Sequence, residues 1–425
     1  MHVMNIDCLD SLRGCGGAGF PTKFKWNAVR DASDAFGKVI ICNADEGEPG
    51  TFKDGWLFDN HCAAVINGMR RSAEHVSANR GFIYLRPEYS AQRELIVEQI
   101  KTMVADGLLA PQSGRIFQAS GFLGRPAQLN NEGLSLIELS ALDWFVEHGS
   151  HDLVGETQQS GGLSHSEEPQ YPLPQNEEMN EGFCLDICLG GGAYICGEET
   201  AMIESMEGKR PQPRHKPPFP TTSGLWQLPT LVNNVETFWW AERLLSGEWQ
   251  QEAERLFSIS GAVNKPGVYQ APVGTTAREL INDYAGGVTD NTMISCWIPG
   301  GAATGVLPAS LLDCKMDNDC LREHGTALGT AALVVFNDQS ALEVSTKIMQ
   351  FFAQESCAQC TPCRIGCAEF ADYLADAQHN WPHNGSVEEW LQTMELGSIC
   401  GLGFTAPLIV RQLQKHFDFE VQHAS

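Results

Sequence analysis

The run from Ser356 to Cys367, S-C-A-Q-C-T-P-C-R-I-G-C, sets the tightest condition on how this chain folds. Cys357, Cys360 and Cys363 follow one another at C-x2-C-x2-C spacing. A remote fourth thiol, Cys400 in G-S-I-C-G, has to be carried back to them if all four share one centre. Soft thiolates this close in sequence converge on a soft metal. The spacing favours a [4Fe–4S] cluster over structural zinc, whose ligand pairs usually stand apart. Zinc, disulfides and inert or redox thiols are the competing readings. Cys367 is read as a small buried hydrophobe, and Pro362 and Pro407 as bends around the centre.

The 15 cysteines matter because the start, M-H-V-M-N-I-D-C, lacks the basic and apolar regions of a signal peptide. That predicts a cytoplasmic protein whose thiols are free or metal-bound. No apolar run is long enough to span a membrane. A net charge of -25 opposes nonspecific nucleic-acid binding and fits a basic partner or plain solubility. A chain of 425 residues has room for two or three domains.

Near the start, R-G-C-G-G-A-G-F-P-T-K-F-K-W places Gly14, Gly16, Gly17 and Gly19 within six residues. Such a loop lets backbone N–H groups approach a phosphate or a flat ring, with Lys23 and Lys25 to neutralise charge. A flexible turn is the plain alternative, since residues 1–10 offer only a weak preceding strand. Gly37–Asn43 reads as a buried strand running into N-A-D-E-G-E-P-G-T-F-K-D. There Asn43, Asp45, Glu46 and Glu48 crowd a strand end, where α/β proteins bind ligands. These groups suit ribityl or ribose hydroxyls and ring nitrogens; a solvated turn is the alternative.

Helices over Leu57–Ala73 and Ser90–Ala105, with a strand over Gly81–Leu85, continue an α/β pattern. Gln112–Glu181 reads as an acidic surface excursion, at most one helix over Asn131–Glu147. A strand over Phe183–Ile187 leads to a second glycine-rich turn. Glu198 and Glu199 then stand where a helix over Thr200–Glu207 begins, either capping it or beside a cofactor. The segment G-K-R-P-Q-P-R-H-K-P-P-F-P holds Arg210, Arg214 and Lys216 on a stiff backbone. It suits dinucleotide phosphates, a subunit contact or ordinary surface. Asn233 and Asn234 precede a helix and read as cofactor contacts or a cap. Phe257–Phe336 reads as a small α+β module with a helix over Thr276–Tyr284, and the chain from Ala341 onward as helical. Cys296, Cys314 and Cys320 lack metal-like spacing and are read as structural.

Taken in order, these motifs resemble the flavin-bearing, NADH-oxidising subunits of respiratory complex I. They are equally similar to the diaphorase subunits of NAD-reducing hydrogenases and NAD-dependent formate dehydrogenases. The resemblance implies an α/β, modified Rossmann-like FMN and NADH domain over residues 1–250, containing the excursion at about 118–180. It implies a ubiquitin-like, SLBB-type module over 251–340 and a helical [4Fe–4S] domain over 341–425. The first loop becomes the FMN and NADH loop, Phe20 stacking near the nicotinamide and Lys25 meeting the FMN phosphate. Asn43 and Asp45 become FMN contacts; Glu46 and Glu48 line the shared pocket. Glu198 faces FMN and Glu199 the dinucleotide, Lys216 and Phe219 reach the adenosine side, and Asn233 and Asn234 complete the flavin site. Cys357, Cys360, Cys363 and Cys400 become the cluster ligands.

The implied activity is hydride exchange between NAD(H) and FMN, relayed through the cluster. The implied partner is an iron–sulfur subunit, thioredoxin-like [2Fe–2S] or multi-cluster, in a larger complex that can be peripheral to a membrane. Rival readings are a cluster-bearing relay without nucleotide turnover and a zinc scaffold. Two departures stand out: Cys15 where the family has arginine, and Ala358 where it has glycine.

Overall fold

A computed structural model describes residues 5–33, 37–119, 182–248, 254–376, 380–381, 386–417 and 422–423. The helix expected over Asn131–Glu147 lies outside them.

The first domain is built on a five-stranded parallel sheet of order β3-β4-β2-β1-β5. Its strands are β1 (Val39–Ala44), β2 (Arg80–Leu85), β3 (Ile116–Gln118), β4 (Cys184–Leu189) and β5 (Thr230–Asn234). The surface excursion expected from Gln112 therefore begins with an edge strand, β3. Period-two alternation divides the apolar side chains between the sheet faces. Ile40, Cys42, Ile83, Leu185 and Leu231 share one core with α1 (Thr22–Asp31), α2 (Lys53–Val76), α3 (Ser90–Ala105) and α5 (Val235–Leu245). Val39, Ile41, Phe82, Tyr84 and Val232 pack on the other face against α4 (Glu199–Met206). Gly68 makes the α2–α5 contact possible: a Cβ there would lie 2.0 Å from the Phe238 carbonyl oxygen.

The second domain is a mixed sheet of order β7-β6-β10-β8-β9. Its members are β6 (Glu254–Gly261), β7 (Gly267–Pro272), β8 (Cys296–Ile298), β9 (Leu307–Pro308) and β10 (Ala332–Phe336). The helix expected over Thr276–Tyr284 is a short α6 (Ala277–Glu279) continuing as a π turn over Leu280–Tyr284. This helix and α7 (Asn318–Glu323) cover one face with Leu280, Ile281 and Leu321. Cys296, Ile298, Val334 and Phe336 on the other face join the core of the C-terminal helices α8 (Ala341–Glu355), α9 (Thr361–Ala375), α10 (Val387–Gly397) and α11 (Gly401–His416). Reciprocal Ser340–Glu343 and Ser386–Glu389 capping boxes start α8 and α10. Pro362 opens the first turn of α9, where its missing N–H costs nothing. Pro407 lies inside α11. Among the described residues, no helix is long and apolar enough to cross a membrane.

Candidate functional site

The carboxyl ends of β1, β4 and β5 bring the three candidate motifs together. Asn43, at the end of β1, donates from Nδ2 to the Gly197 carbonyl at 2.8 Å and accepts from the Asp45 N–H at 3.2 Å. One amide thus clasps the loop after β1 to the glycine-rich turn after β4. Asp45 follows with its Oδ2 enclosed and without a hydrogen-bond partner among the described residues. Burial pushes its pKa up to about 7 despite the opposing pull of Arg86.

The neighbouring carboxylates do different work. Glu46, 5% exposed, accepts from the Asp54 and Gly55 N–H groups and, at 2.6 Å, from the Tyr89 hydroxyl. Its oxygens are thereby directed at the start of α2 rather than left open to a pocket. Glu48 accepts from the Tyr194 hydroxyl and, at 2.8 Å, from the Ala303 N–H, which ties the first domain to the second. Burial raises its pKa although both donors act against that shift.

On the opposite side, Glu198 caps α4, accepting from the Thr200 and Ala201 N–H groups at 2.9 Å each. Glu199 is the first residue of that helix and reaches Lys25 Nζ at 2.8 Å. Lys216 reaches Glu198 at 3.0 Å and Glu199 at 3.1 Å. Burial would raise the Glu199 pKa, but Lys25 and Lys216 outweigh it and hold the carboxyl below its ordinary range. Two acids and two lysines therefore balance in one patch. Lys23 is turned away into pairs with Asp7 and Asp10.

The glycine loop bends through positive φ at Gly17 (104°) and Gly19 (62°), conformations that glycine adopts freely. A 3-10 turn at Asp7–Leu9 precedes it, so among the described residues no strand completes a dinucleotide fingerprint. A Cβ on Gly16 would come within 3.3 Å of Asn234 Cβ, whereas Gly14 and Gly19 have more room. Cys15 is fully buried, its N–H donating to Thr237 Oγ1 at 2.9 Å. Burial pushes its thiol up to about 12, and the strongest charge acting on it is Arg255. A guanidinium distant in sequence thus acts on position 15. Phe20 and Phe219 are 49% and 54% exposed aromatic surfaces.

Asn233 accepts from the Trp26 indole N–H at 2.8 Å, binding β5 to α1. Asn234 caps α5 and donates to Asp54 Oδ2 at 2.6 Å while accepting from Lys53 Nζ at 3.0 Å. The buried Lys53 also pairs with Asp54 at 2.7 Å and Glu236 at 3.3 Å. This network beneath the loop was not singled out from sequence. Its signal is the adjacent Lys53 and Asp54 at the start of α2, hidden because charged pairs usually mark solvated faces.

The cysteines gather at the N-terminal ends of α9 and α11. Cys363 and Cys400 are buried; Cys357 and Cys360 are half-buried. Cys367 Sγ lies 4.0 Å from Cys363 Sγ. Hydrogen bonding from Cys367 is the main cause that draws the Cys363 thiol down to about 7. The basic proline-rich segment reaches this centre: Arg210 and Gln212 each donate to the Cys357 carbonyl at 3.3 Å. Arg214 instead pairs with Glu204 and, at 2.9 Å, Glu207. Ile195 and Ala201, from the glycine-rich turn and α4, share a core with Cys363 and Cys400.

Comparison with known proteins agrees with this arrangement. Residues 10–242 match the Nuo51 FMN-binding domain, 256–294 the SLBB domain, and 343–424 the NADH-ubiquinone oxidoreductase-F iron-sulfur binding region. An F-type subunit of the NADH-quinone oxidoreductase of Rhizobium meliloti is 34% identical, the match covering 96% of this chain and 85% of the relative. The corresponding F-type subunit of Aquifex aeolicus is 35% identical, with 98% and 84% covered. An NAD+-reducing [NiFe]-hydrogenase structure superposes with a TM-score of 0.72 at 27% identity, covering 97% of this chain. The match spans 61% of that hydrogenase chain's length. With an FMN-binding domain, an SLBB domain and an iron–sulfur region in this order, the chain belongs to the family of NADH-quinone oxidoreductase F-type subunits.

Proposed function

We propose that this chain is the electron-entry subunit of a larger oxidoreductase, exchanging electrons between NAD(H) and a partner. The observation that carries the reading is the junction between its two cofactor regions. Arg210 and Gln212, from the segment that also brings Lys216 to Glu198 and Glu199, hold the Cys357 carbonyl of the cysteine loop.

The residues fit the implied groups. The enclosed, unpartnered Oδ2 of Asp45 is an acceptor suited to a flavin or ribityl donor, and the glycine loop offers backbone without side-chain bulk. Cys357, Cys360, Cys363 and Cys400 supply the four thiolates of a [4Fe–4S] cluster, in keeping with their C-x2-C-x2-C spacing. FMN exchanges a hydride with NAD(H), and the cluster carries single electrons onward.

The protein's own part is positioning. Asn43 and Gly197 hold two pocket loops together; Lys25 and Lys216 hold Glu198 and Glu199 in a charge-balanced patch. Phe20 and Phe219 offer exposed faces for stacking, Phe20 toward the nicotinamide and Phe219 toward the adenosine side. Glu46 and Asn233 support these walls from behind. No side chain has to serve as acid or base.

The partner in this reading is a thioredoxin-like [2Fe–2S] or multi-cluster subunit, met in the cytoplasm. The whole assembly's terminal reaction belongs to such partners. Anaerobic purification, flavin extraction, iron and sulfide analysis and NADH-to-ferricyanide turnover test the proposal. About one FMN per chain, cluster iron and NADH turnover are expected. Zinc in place of iron, with no flavin, would defeat it.

A further inference from the structure

We propose that Cys314, Cys320 and His324 form a mononuclear metal site of the zinc class, separate from the cluster cysteines. Spacing alone left Cys314 and Cys320 as structural thiols. The fold brings both together with an imidazole: their two sulfurs and one ring nitrogen of His324 lie within 4.8 Å of one another. Cys296 stays apart, in β8.

Local structure accounts for the convergence. Asp317 caps α7, accepting from the Asp319 and Cys320 N–H groups at 3.0 and 2.7 Å. Cys320 lies in the first turn, and His324 follows four residues later, at the spacing that places side chains on one helical face. Cys314 precedes the helix; its N–H bonds the Leu311 carbonyl at 3.0 Å, and Met316 N–H bonds Thr275 O at 2.9 Å. The last turn is fixed from outside. Gln412 of α11 donates to the His324 and Gly325 carbonyls at 3.3 and 2.6 Å, and Lys415 to the Glu323 carbonyl at 3.2 Å. The ligand-bearing backbone is therefore positioned by protein contacts before any ion arrives.

The donor set selects the metal class. Two thiolates and a neutral imidazole balance a divalent charge and suit a borderline-soft ion. Tetrahedral zinc, with Zn–S about 2.3 Å, places neighbouring donors slightly under 4 Å apart, so modest side-chain rotation completes the geometry. Three protein ligands leave the fourth position to water. Cys314 is buried, while Cys320 and His324 are half-exposed. The site also sits where the second domain meets α11, whose N-cap is Cys400. Metal binding would stabilise that seam by linkage.

The test uses the full chain, purified anaerobically with its cluster after growth with zinc. Wild type is expected to hold about one zinc per chain beyond its iron. Cys314→Ser with Cys320→Ser should lose at least nine-tenths of that zinc, leaving iron and labile sulfide unchanged. His324→Asn should weaken zinc affinity by more than the roughly 10–100-fold typical of outer-shell changes. If the double variant fails to fold, cobalt titration of wild type decides: thiolate-to-cobalt charge-transfer bands, abolished by stoichiometric zinc, support the site. Equal zinc in wild type and variant overturns it. So does a native protein that shows a Cys314–Cys320 disulfide by intact mass and takes up no cobalt.

Discussion

Lys25 Nζ lies 2.8 Å from Glu199 Oε2, joining the first helix of the chain to the first residue of α4. Lys216 approaches the same carboxylate from the proline-rich segment at 3.1 Å. The acids therefore do not present uncompensated negative charge to a dinucleotide. Their effect on its phosphates depends on how they restrain the two lysines.

Glu199→Gln removes one negative charge and releases Lys25, while Lys216 keeps its pair with Glu198. The patch becomes net positive, which favours the additional phosphate of NADPH. The ratio of kcat/KM for NADPH to that for NADH should rise by roughly tenfold, about 1.4 kcal/mol. An unchanged ratio would remove Glu199 from nucleotide selection. The pH dependence has a definite sign. The folded carboxyl titrates below its ordinary 4.5, so its stabilisation is complete above that pH and is lost as pH falls through the lowered value.

Asp45 should behave in the opposite way. Its folded pKa is about 7 against an ordinary 3.8, because burial disfavours the charge. The folded state therefore holds this proton more tightly. Its contribution to stability is fully present below pH 3.8, declines toward pH 7 and is flat above. Asp45→Asn should flatten that profile and stabilise the ligand-free protein at pH 8 by roughly 1–3 kcal/mol. Denaturant melts across pH check it. If Oδ2 accepts from bound flavin, binding will release a proton in this window, and the variant will lose that release in calorimetry across buffers.

Much of this architecture was legible in the sequence. Helix α3 runs over Ser90–Ala105 as expected, and short apolar runs located β1 and β2 to within two residues. Asn43 reaches the Gly197 carbonyl, and Lys216 reaches Glu198 and Glu199, each across distant segments. What local pattern did not disclose was where each polar side chain points. Glu46 turns to the start of α2, Glu48 to Ala303, and Arg214 to two glutamates. Those choices depend on long-range packing. The Cys314–Cys320–His324 group was obscured for the same reason: a capped short helix and α11 fix its geometry.

Lys53 is the ion on which the buried network under the loop depends. Its side chain is 1% exposed, against 3% and 0% for Asp54 and Glu236. Lys53→Met leaves two buried carboxylates without their shared cation and should cost about 3–5 kcal/mol. Burial already pushes Asp54 up to about 7 against the pull of Lys53; losing that pull raises it further, so the defect should shrink as pH falls toward 7 and the carboxyl protonates. Adding Asp54→Asn should recover part of the loss at pH 8. Urea melts at two pH values give the comparison, and a pH-independent loss would contradict the electrostatic account.

Ala358 occupies left-handed backbone at φ 60°, directly after Cys357. Its N–H donates to Ser356 Oγ at 3.3 Å and its carbonyl accepts from Arg364 at 3.0 Å, so the turn is held from both sides. That conformation costs an L-residue roughly 1–2 kcal/mol. Glycine removes the strain but loses more entropy on folding. Ala358→Gly should therefore gain about 0.5–1 kcal/mol net, seen as slower loss of cluster iron to a chelator. Faster loss would mean that the methyl group contributes packing that outweighs the strain.

Cys367 and Cys400 separate a supporting thiol from a proposed ligand. Cys367 is fully buried, 4.0 Å from Cys363 Sγ, and hydrogen bonding to Cys363 drives its own pKa upward. With Cys367 as the donor, its neutral thiol favours thiolate at Cys363. Cys400 instead stands at the N-cap position of α11 and lies in the core shared with Ile195 and Ala201. Cys400→Ala should remove a cluster ligand and lower iron and labile sulfide together by more than half. Cys367→Ala should leave both near wild type, with a cavity cost of about 1 kcal/mol and a raised pH requirement for reconstituting the cluster. If Cys367→Ala loses the iron and Cys400→Ala keeps it, the ligand set contains Cys367, and the link from the cluster to the glycine-rich turn through α11 fails with it.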